Sequence, residues 1–169
     1  MGWNNQFCNL THVYIMSKKT ASRRGKGGRT TKKRGTLRKL LQNKKCTKAS
    51  IVKTMMEMLN IIKLYHWNTH SYSQHKATDE LYARLSDNVD KFVEVGLGKK
   101  GGRITHWTKN MEVLNFEKST NFKTRLYEYR RFFIYLDACL HPEHDTDLLS
   151  IRDEILADLN QFLYLFTLK

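Results

Sequence analysis

A single proline, Pro142, interrupts the 169 residues of this chain. Glycine is nearly as unevenly used. Its nine copies fall at Gly2, between Gly25 and Gly35, and between Gly96 and Gly102, so 36–95 and 103–169 contain none. Long stretches free of both breakers favour helices. Cysteine is scarce as well. Cys8, Cys46 and Cys139 are odd in number and far apart, which reads against a disulfide framework and suits a reducing compartment. No apolar run approaches about 18 residues, so nothing in the sequence reads as a membrane span. A secretory signal is not evident either: the weakly apolar THVYIM has no basic region before it. MSKK at Met16 reads as naturally as a translation start as Met1 does.

Acidic residues are missing from the whole of 1–50, which holds fourteen Lys and Arg. The remainder holds sixteen of each sign, so the entire net charge of +14 belongs to the N-terminal region. Residues 17–45 are too charged and too poor in apolar residues to pack. The chain therefore divides into a flexible basic arm, 1–46, and a neutral body, 47–169. The arm's cations at Lys18, Lys19, Arg23, Arg24, Lys26, Arg29, Lys32, Lys33, Arg34, Arg38 and Lys39 suit binding to nucleic acid by counterion release. No aromatic residue lies between Ser17 and Ser50, so bases find nothing to stack on. Such binding reads phosphates and ignores sequence. An organelle-targeting segment and a nuclear localisation signal at TKKRG are the competing readings of the arm. Nucleoid, nucleus and virion interior all fit a DNA-coating protein inside a cell.

In the body, four helical periods stand out. The first runs from about Lys48 to His66, with Ile51, Met55, Met58, Leu59, Ile62 and Tyr65 on one face. The second runs from about Gln74 to Val95, with Ser73 as N-cap and Leu81, Tyr82, Leu85, Val89 and Phe92 apolar. The third, Asn121 to Leu140, repeats Phe122, Leu126, Tyr129, Phe133, Leu136 and Leu140. The fourth, Thr146 to Thr167, carries Leu148, Ile155, Leu159, Phe162 and Phe166, with Asp145 and Asp147 at its dipole-favoured start. Short links join the first two helices and the last two, which makes each pair antiparallel. About 25 residues, 96–120, separate the pairs and suffice to run the length of a helix. Two hairpins joined by one long crossover is the ferritin-like four-helix arrangement; a plain bundle with a disordered loop is the simpler alternative. WTKNMEVLNF inside the linker has the makings of a short fifth helix.

The second helix carries a second stripe, His75, Asp79, Ala83, Ser86, Asp90 and Glu94, beside its apolar one. Alone, an acidic second face is usually just solvated. His75 and Glu94 are nineteen residues apart, about 28 Å along a helix, and metal–ligand bonds are about 2 Å. The two ends of the stripe therefore belong to different sites. The positions pair symmetrically about 84.5: His75 with Glu94, Asp79 with Asp90, Ala83 with Ser86. Two copies crossing antiparallel on a two-fold axis would bring His75 and Asp79 of one to Glu94 and Asp90 of the other. The small Ala83 and Ser86 would meet at that dimer interface, and an isologous dimer makes each contact twice. His66, ending the first helix, would complete a set of two imidazoles and three carboxylates. Such a set suits iron(II) or manganese, with zinc a competitor. A site inside one bundle would need Glu-x-x-His motifs, and no histidine here has an acid three residues before it.

The stretch LYHWNTHSYSQHKATDELYARLSDNVDKFVEV resembles the ferroxidase segment of the Dps family, the DNA-binding miniferritins, and is similar to Dps-like proteins of large DNA viruses. The resemblance rests on a histidine in an HWN context, a second histidine, an acid four residues on, and D-x-x-x-E eleven residues further. It implies that His66, His75, Asp79, Asp90 and Glu94 bind and oxidise iron(II) across a dimer two-fold. It also implies a hollow homo-oligomer, commonly a dodecamer, that stores ferric iron while the arm binds DNA. One departure is plain. Eight residues separate His66 from His75, where the family usually has eleven. His70 is then an alternative ligand, and a DNA-packaging or virion structural protein without ferroxidase activity is the alternative function. Trp67 reads as a packing residue, and His12, His106, His141 and His144 as surface residues. Glu143 and His144 beside Asp145 form only a weak metal pattern.

Overall fold

In the computed structural model, the residues described are 46–105, 110–111, 113–116 and 118–168. The arm's DNA-contact residues, Lys18 to Lys39, lie outside them, as do His12 and His106. The described chain is all-α: α1 (Lys48–Asn68), α2 (Tyr72–Lys100), α3 (Ser119–Tyr135), a 3-10 segment (Leu136–Cys139) and α4 (Thr146–Leu165). No described helix is long and apolar enough to cross a membrane.

Each helix forms for a local reason. Thr47 caps α1 through a reciprocal capping box with Ser50, which satisfies backbone donors otherwise left without partners. Helix α2 is capped by Ser71, whose hydroxyl accepts from the Gln74 N–H, two residues earlier than the periodicity suggests. It also runs on to Lys100, past Gly96 and Gly98, although each glycine costs about 1 kcal/mol relative to alanine. Lysines at its end offset that cost. Lys99 Nζ bonds Asp147 Oδ1 at 2.6 Å and Lys100 Nζ bonds Asp145 Oδ2 at 3.1 Å. Cations therefore sit at the negative end of α2 and carboxylates at the positive end of α4. Gly101 ends the helix at φ 67°, a left-handed backbone that favours glycine. The period of the third helix holds to Leu140, but α3 tightens to 3-10 geometry after Tyr135.

The core is the set of apolar positions with helical spacing. Ile51, Met55, Met58, Ile62 and Tyr65 of α1 meet Leu81, Leu85, Val89 and Phe92 of α2, Phe122, Leu126, Tyr129 and Phe133 of α3, and Leu148, Ile155, Leu159 and Phe162 of α4, all buried. Helix α1 packs on α2 and α3, and α4 packs on the same two. The described parts of the linker touch both ends of α1. Lys48 Nζ at its start donates to the Gly101 carbonyl (2.6 Å), and Asn68 Nδ2 at its end donates to Asn115 Oδ1 (2.9 Å). The order is therefore up, down, crossover, down, up. The described residues of the linker's second half, 110–111 and 113–116, are not helical, so the short fifth helix is not found there. Leu114 and Phe116 instead pack against the core.

The cysteine reading needs correction. Cys46 and Cys139 form a disulfide, with Cα atoms 5.6 Å apart and 93 residues between them in sequence. Only the fold brings the root of the arm beside the 3-10 segment. One staple is not a framework, yet closing so long a loop restricts the unfolded chain by about 4 kcal/mol.

Asp145 is the polar hinge of this end of the bundle. It is buried, accepts the His141 N–H at 2.9 Å, and faces Lys99 and Lys100. Burial pushes its carboxyl up, but the His141 N–H and the two ammonium groups outweigh that and hold it below the usual carboxylate range. Because its folded value is depressed, its stabilisation is complete above its unfolded value of about 3.9 and is lost as pH falls through the folded value. Asp145→Ala is expected to lower unfolding free energy by about 1–3 kcal/mol at pH 7. The gap from wild type should close in acid below about pH 4, as read by urea denaturation at several pH values.

Candidate metal centre

The turn between α1 and α2 spans only Thr69 to Ser71. It folds the end of α1 back onto the start of α2 and stacks two imidazoles, His66 and His75, with ring centroids 3.9 Å apart. His66 Nδ1 lies 3.0 Å from the His75 carbonyl oxygen, and His75 Nδ1 lies 2.9 Å from the His66 carbonyl oxygen. A carbonyl only accepts, so both Nδ1 atoms carry the proton and donate. In the neutral rings both Nε2 lone pairs are then free to bind a metal. Carbonyl-bound Nδ1–H groups orient metal-binding histidines in the same way. Thr78, fully buried, adds to the lock. Its hydroxyl donates to the Gln74 carbonyl at 2.7 Å and lies 3.4 Å from His66 Nδ1.

Asp79 sits one turn beyond His75. Its Oδ1 is 3.7 Å from His66 Nε2, too far for a hydrogen bond. Two ligands of one ion with bonds of about 2.1 Å stand roughly 3.0–3.5 Å apart, so the gap is within a few tenths of an ångström of a shared metal. Lys63 Nζ lies 3.4 Å from the same Oδ1. Its hydrogen bond, set against slight desolvation, holds the Asp79 carboxyl below the usual range. The Lys63 ammonium also lies over the rings of Tyr82 (4.9 Å) and Trp67 (5.9 Å), a cation–π setting.

Of the five sequence-assigned ligands, His66 stacks on His75 and lies beside Asp79 within one chain, but the donor atoms of the three do not all fall within 4.8 Å of one another. The shortened turn does not carry His66 away, and His70 lies exposed on the turn. Asp90 and Glu94 are exposed further along α2, about 16 and 22 Å from Asp79 at 1.5 Å per residue. One chain cannot close a site with them. Ala83, exposed, and Ser86, half-buried, lie between the two groups. Trp67, read from sequence as a packing residue, is instead 65 % exposed. It shares an open α1–α2 face with Met56, itself 39 % exposed, and with Lys63. Lys63 and Thr78 were not singled out in the sequence. Lys63 had a signal, because it precedes His66 by one helical turn and so shares its face. Thr78 had none, since its role depends on the turn bringing Gln74 and His66 together.

Among known proteins, no curated protein and no solved structure matches the chain. The model of a family of unknown function, DUF5856, matches residues 66–166, from His66 through all of α2, α3 and α4. With well over half of its length so matched, the chain belongs to the DUF5856 family.

Proposed function

We propose that the protein is a Dps-like miniferritin that binds iron(II) between subunits, oxidises it, stores the ferric product and holds DNA through its basic arm. One observation carries this reading. His66 and His75 spend their Nδ1–H groups on each other's carbonyls, which leaves both Nε2 lone pairs free, the one on His66 3.7 Å from Asp79 Oδ1. The order of helices supports it too, because up, down, crossover, down, up is the ferritin-like arrangement. Iron(II) is the substrate. His66, His75 and Asp79 of one copy and Asp90 and Glu94 of a second would hold it, and the three carboxylates would offset the charge gained on oxidation. Each iron gives up one electron, and O2 or peroxide takes them up. The arm's thirteen lysines and arginines would bind duplex phosphates irrespective of sequence. The proposed assembly is a hollow homo-oligomer of two-fold dimers, a dodecamer in the simplest case, with manganese and zinc as competitors for the site.

The Lys63–Asp79 ion pair favours a second reading. It places a permanent positive charge beside the carboxylate and stabilises the site without metal. A DNA-packaging or virion structural protein on the same scaffold needs nothing more.

Iron titration separates the two. Iron(II) in air is expected to oxidise faster with the protein than in buffer, and Asp90→Asn with Glu94→Gln should abolish the gain. An equal rate in buffer and protein would leave the packaging reading.

The interface has its own test. Ala83→Phe should disrupt the helix crossing at a cost of about 1–3 kcal/mol per copy and reduce assembly and iron oxidation together, with helicity kept. Normal assembly of this variant, measured by light scattering, would rule out the crossing near position 84.5.

For the arm, deletion of residues 1–45 should remove DNA binding. If about eight phosphates are contacted, log K against log salt should slope near −7, and a flat response would count against the assignment.

A further inference from the structure

The turn between the 3-10 segment and α4, His141–Pro142–Glu143–His144, lies apart from the His66–His75 centre, at the end of the bundle where Asp145 sits. His141, Glu143 and His144 are all exposed, and one donor atom from each lies within 4.8 Å of the others. The two imidazoles are near-parallel, with centroids 4.3 Å apart. Pro142 fixes its own φ. The backbone around the turn is closed from both sides: the Asp145 N–H donates to the His141 carbonyl at 2.8 Å, and the His141 N–H donates to Asp145 Oδ2 at 2.9 Å. The three donors thus project from a pre-shaped loop and need only side-chain rotation to converge.

From this we infer that the turn is a second metal site, for a divalent late transition ion of the zinc, copper or nickel type. Two imidazoles and one carboxylate, with a coordination position left for water, suit those ions. Magnesium and calcium prefer all-oxygen sets. Two features of the surroundings bear on affinity. The positive end of α4 opposes a cation there, and the Asp145 and Asp147 carboxylates are already ion-paired with Lys99 and Lys100, so the affinity comes from the three donors themselves. His141 Nδ1 accepts the Glu143 and His144 N–H groups, both at 3.3 Å. These contacts are long, and a metal bond at Nδ1, or a tautomer shift freeing Nε2, replaces them. The site uses none of the five residues of the inter-subunit centre, so either can fail without the other.

The test is calorimetric titration of zinc into the full chain carrying Asp90→Asn and Glu94→Gln, in which any zinc held by His66 and His75 is common to every variant compared. One zinc per chain is expected to depend on the turn in that background. His141→Gln with His144→Gln should abolish it, and Glu143→Gln alone should weaken it about tenfold or more, as loss of even an outer-shell partner does. Copper(II) in place of zinc should give an electron paramagnetic resonance spectrum coupled to two imidazole nitrogens. Unchanged zinc stoichiometry and affinity in the double-histidine variant would overturn the assignment, as would a copper spectrum without nitrogen coupling.

Discussion

The reciprocal imidazole-to-carbonyl bonds between His66 and His75 fix the register of α1 against α2. Each ring closes onto the backbone of the opposite helix, so the two helix ends cannot slide without breaking both bonds. That register places Lys63 opposite Asp79 and buries Thr78 against His66. It also seats Tyr65 flat on Phe122, with centroids 3.9 Å apart, which ties α3 to the same corner. Phe162 of α4 and Phe166 just past its end close around Phe122 edge-on. One short turn thus organises the end of the bundle and, by the same bonds, sets which nitrogen of each histidine faces out.

The two ends of the bundle are built differently. Around His66 the contacts are aromatic and imidazole, with the exposed Lys63–Asp79 pair at their edge. Around Asp145 they are ionic. Lysines from the end of α2 meet carboxylates at the start of α4, the linker leaves from beside the start of α1, and a disulfide pins Cys46 to Cys139. The basic arm therefore springs from the ionic end, far from the histidine pair. Between them the α1–α2 surface carries Trp67, Met56, Ala83 and Ser86 exposed or half-exposed. Isolated apolar residues on a surface are ordinary.

Much of the fold was legible in the sequence because burial follows the helical period. All six apolar positions assigned to the third helix are buried, and so are Ile51, Met55, Met58, Ile62 and Tyr65 in the first. The ends were less legible. Gly96 and Gly98 read as stops, yet α2 continues through them because Lys99 and Lys100 find acids that lie some 45 residues away in sequence. The Cys46–Cys139 pair was hidden for the same reason. At the candidate centre, residue types and spacing pointed to His66, His75 and Asp79. The tautomer lock, the Lys63 ion pair and the exposure of Trp67 needed coordinates, since each depends on a turn whose path the sequence does not encode locally. Asp90 and Glu94 remain a statement about two copies, which one chain does not contain.

The central claim is that two imidazole Nε2 lone pairs are held ready for a metal. Nitrogen-15 correlation spectra of the histidine side chains test it most directly, recorded at neutral pH before and after adding zinc as a redox-inert stand-in for iron(II). The account predicts the Nδ1–H tautomer for both His66 and His75 in the metal-free protein, and movement of both Nε2 signals when zinc is added. An Nε2–H tautomer at either residue, or Nε2 signals indifferent to the metal, would contradict it.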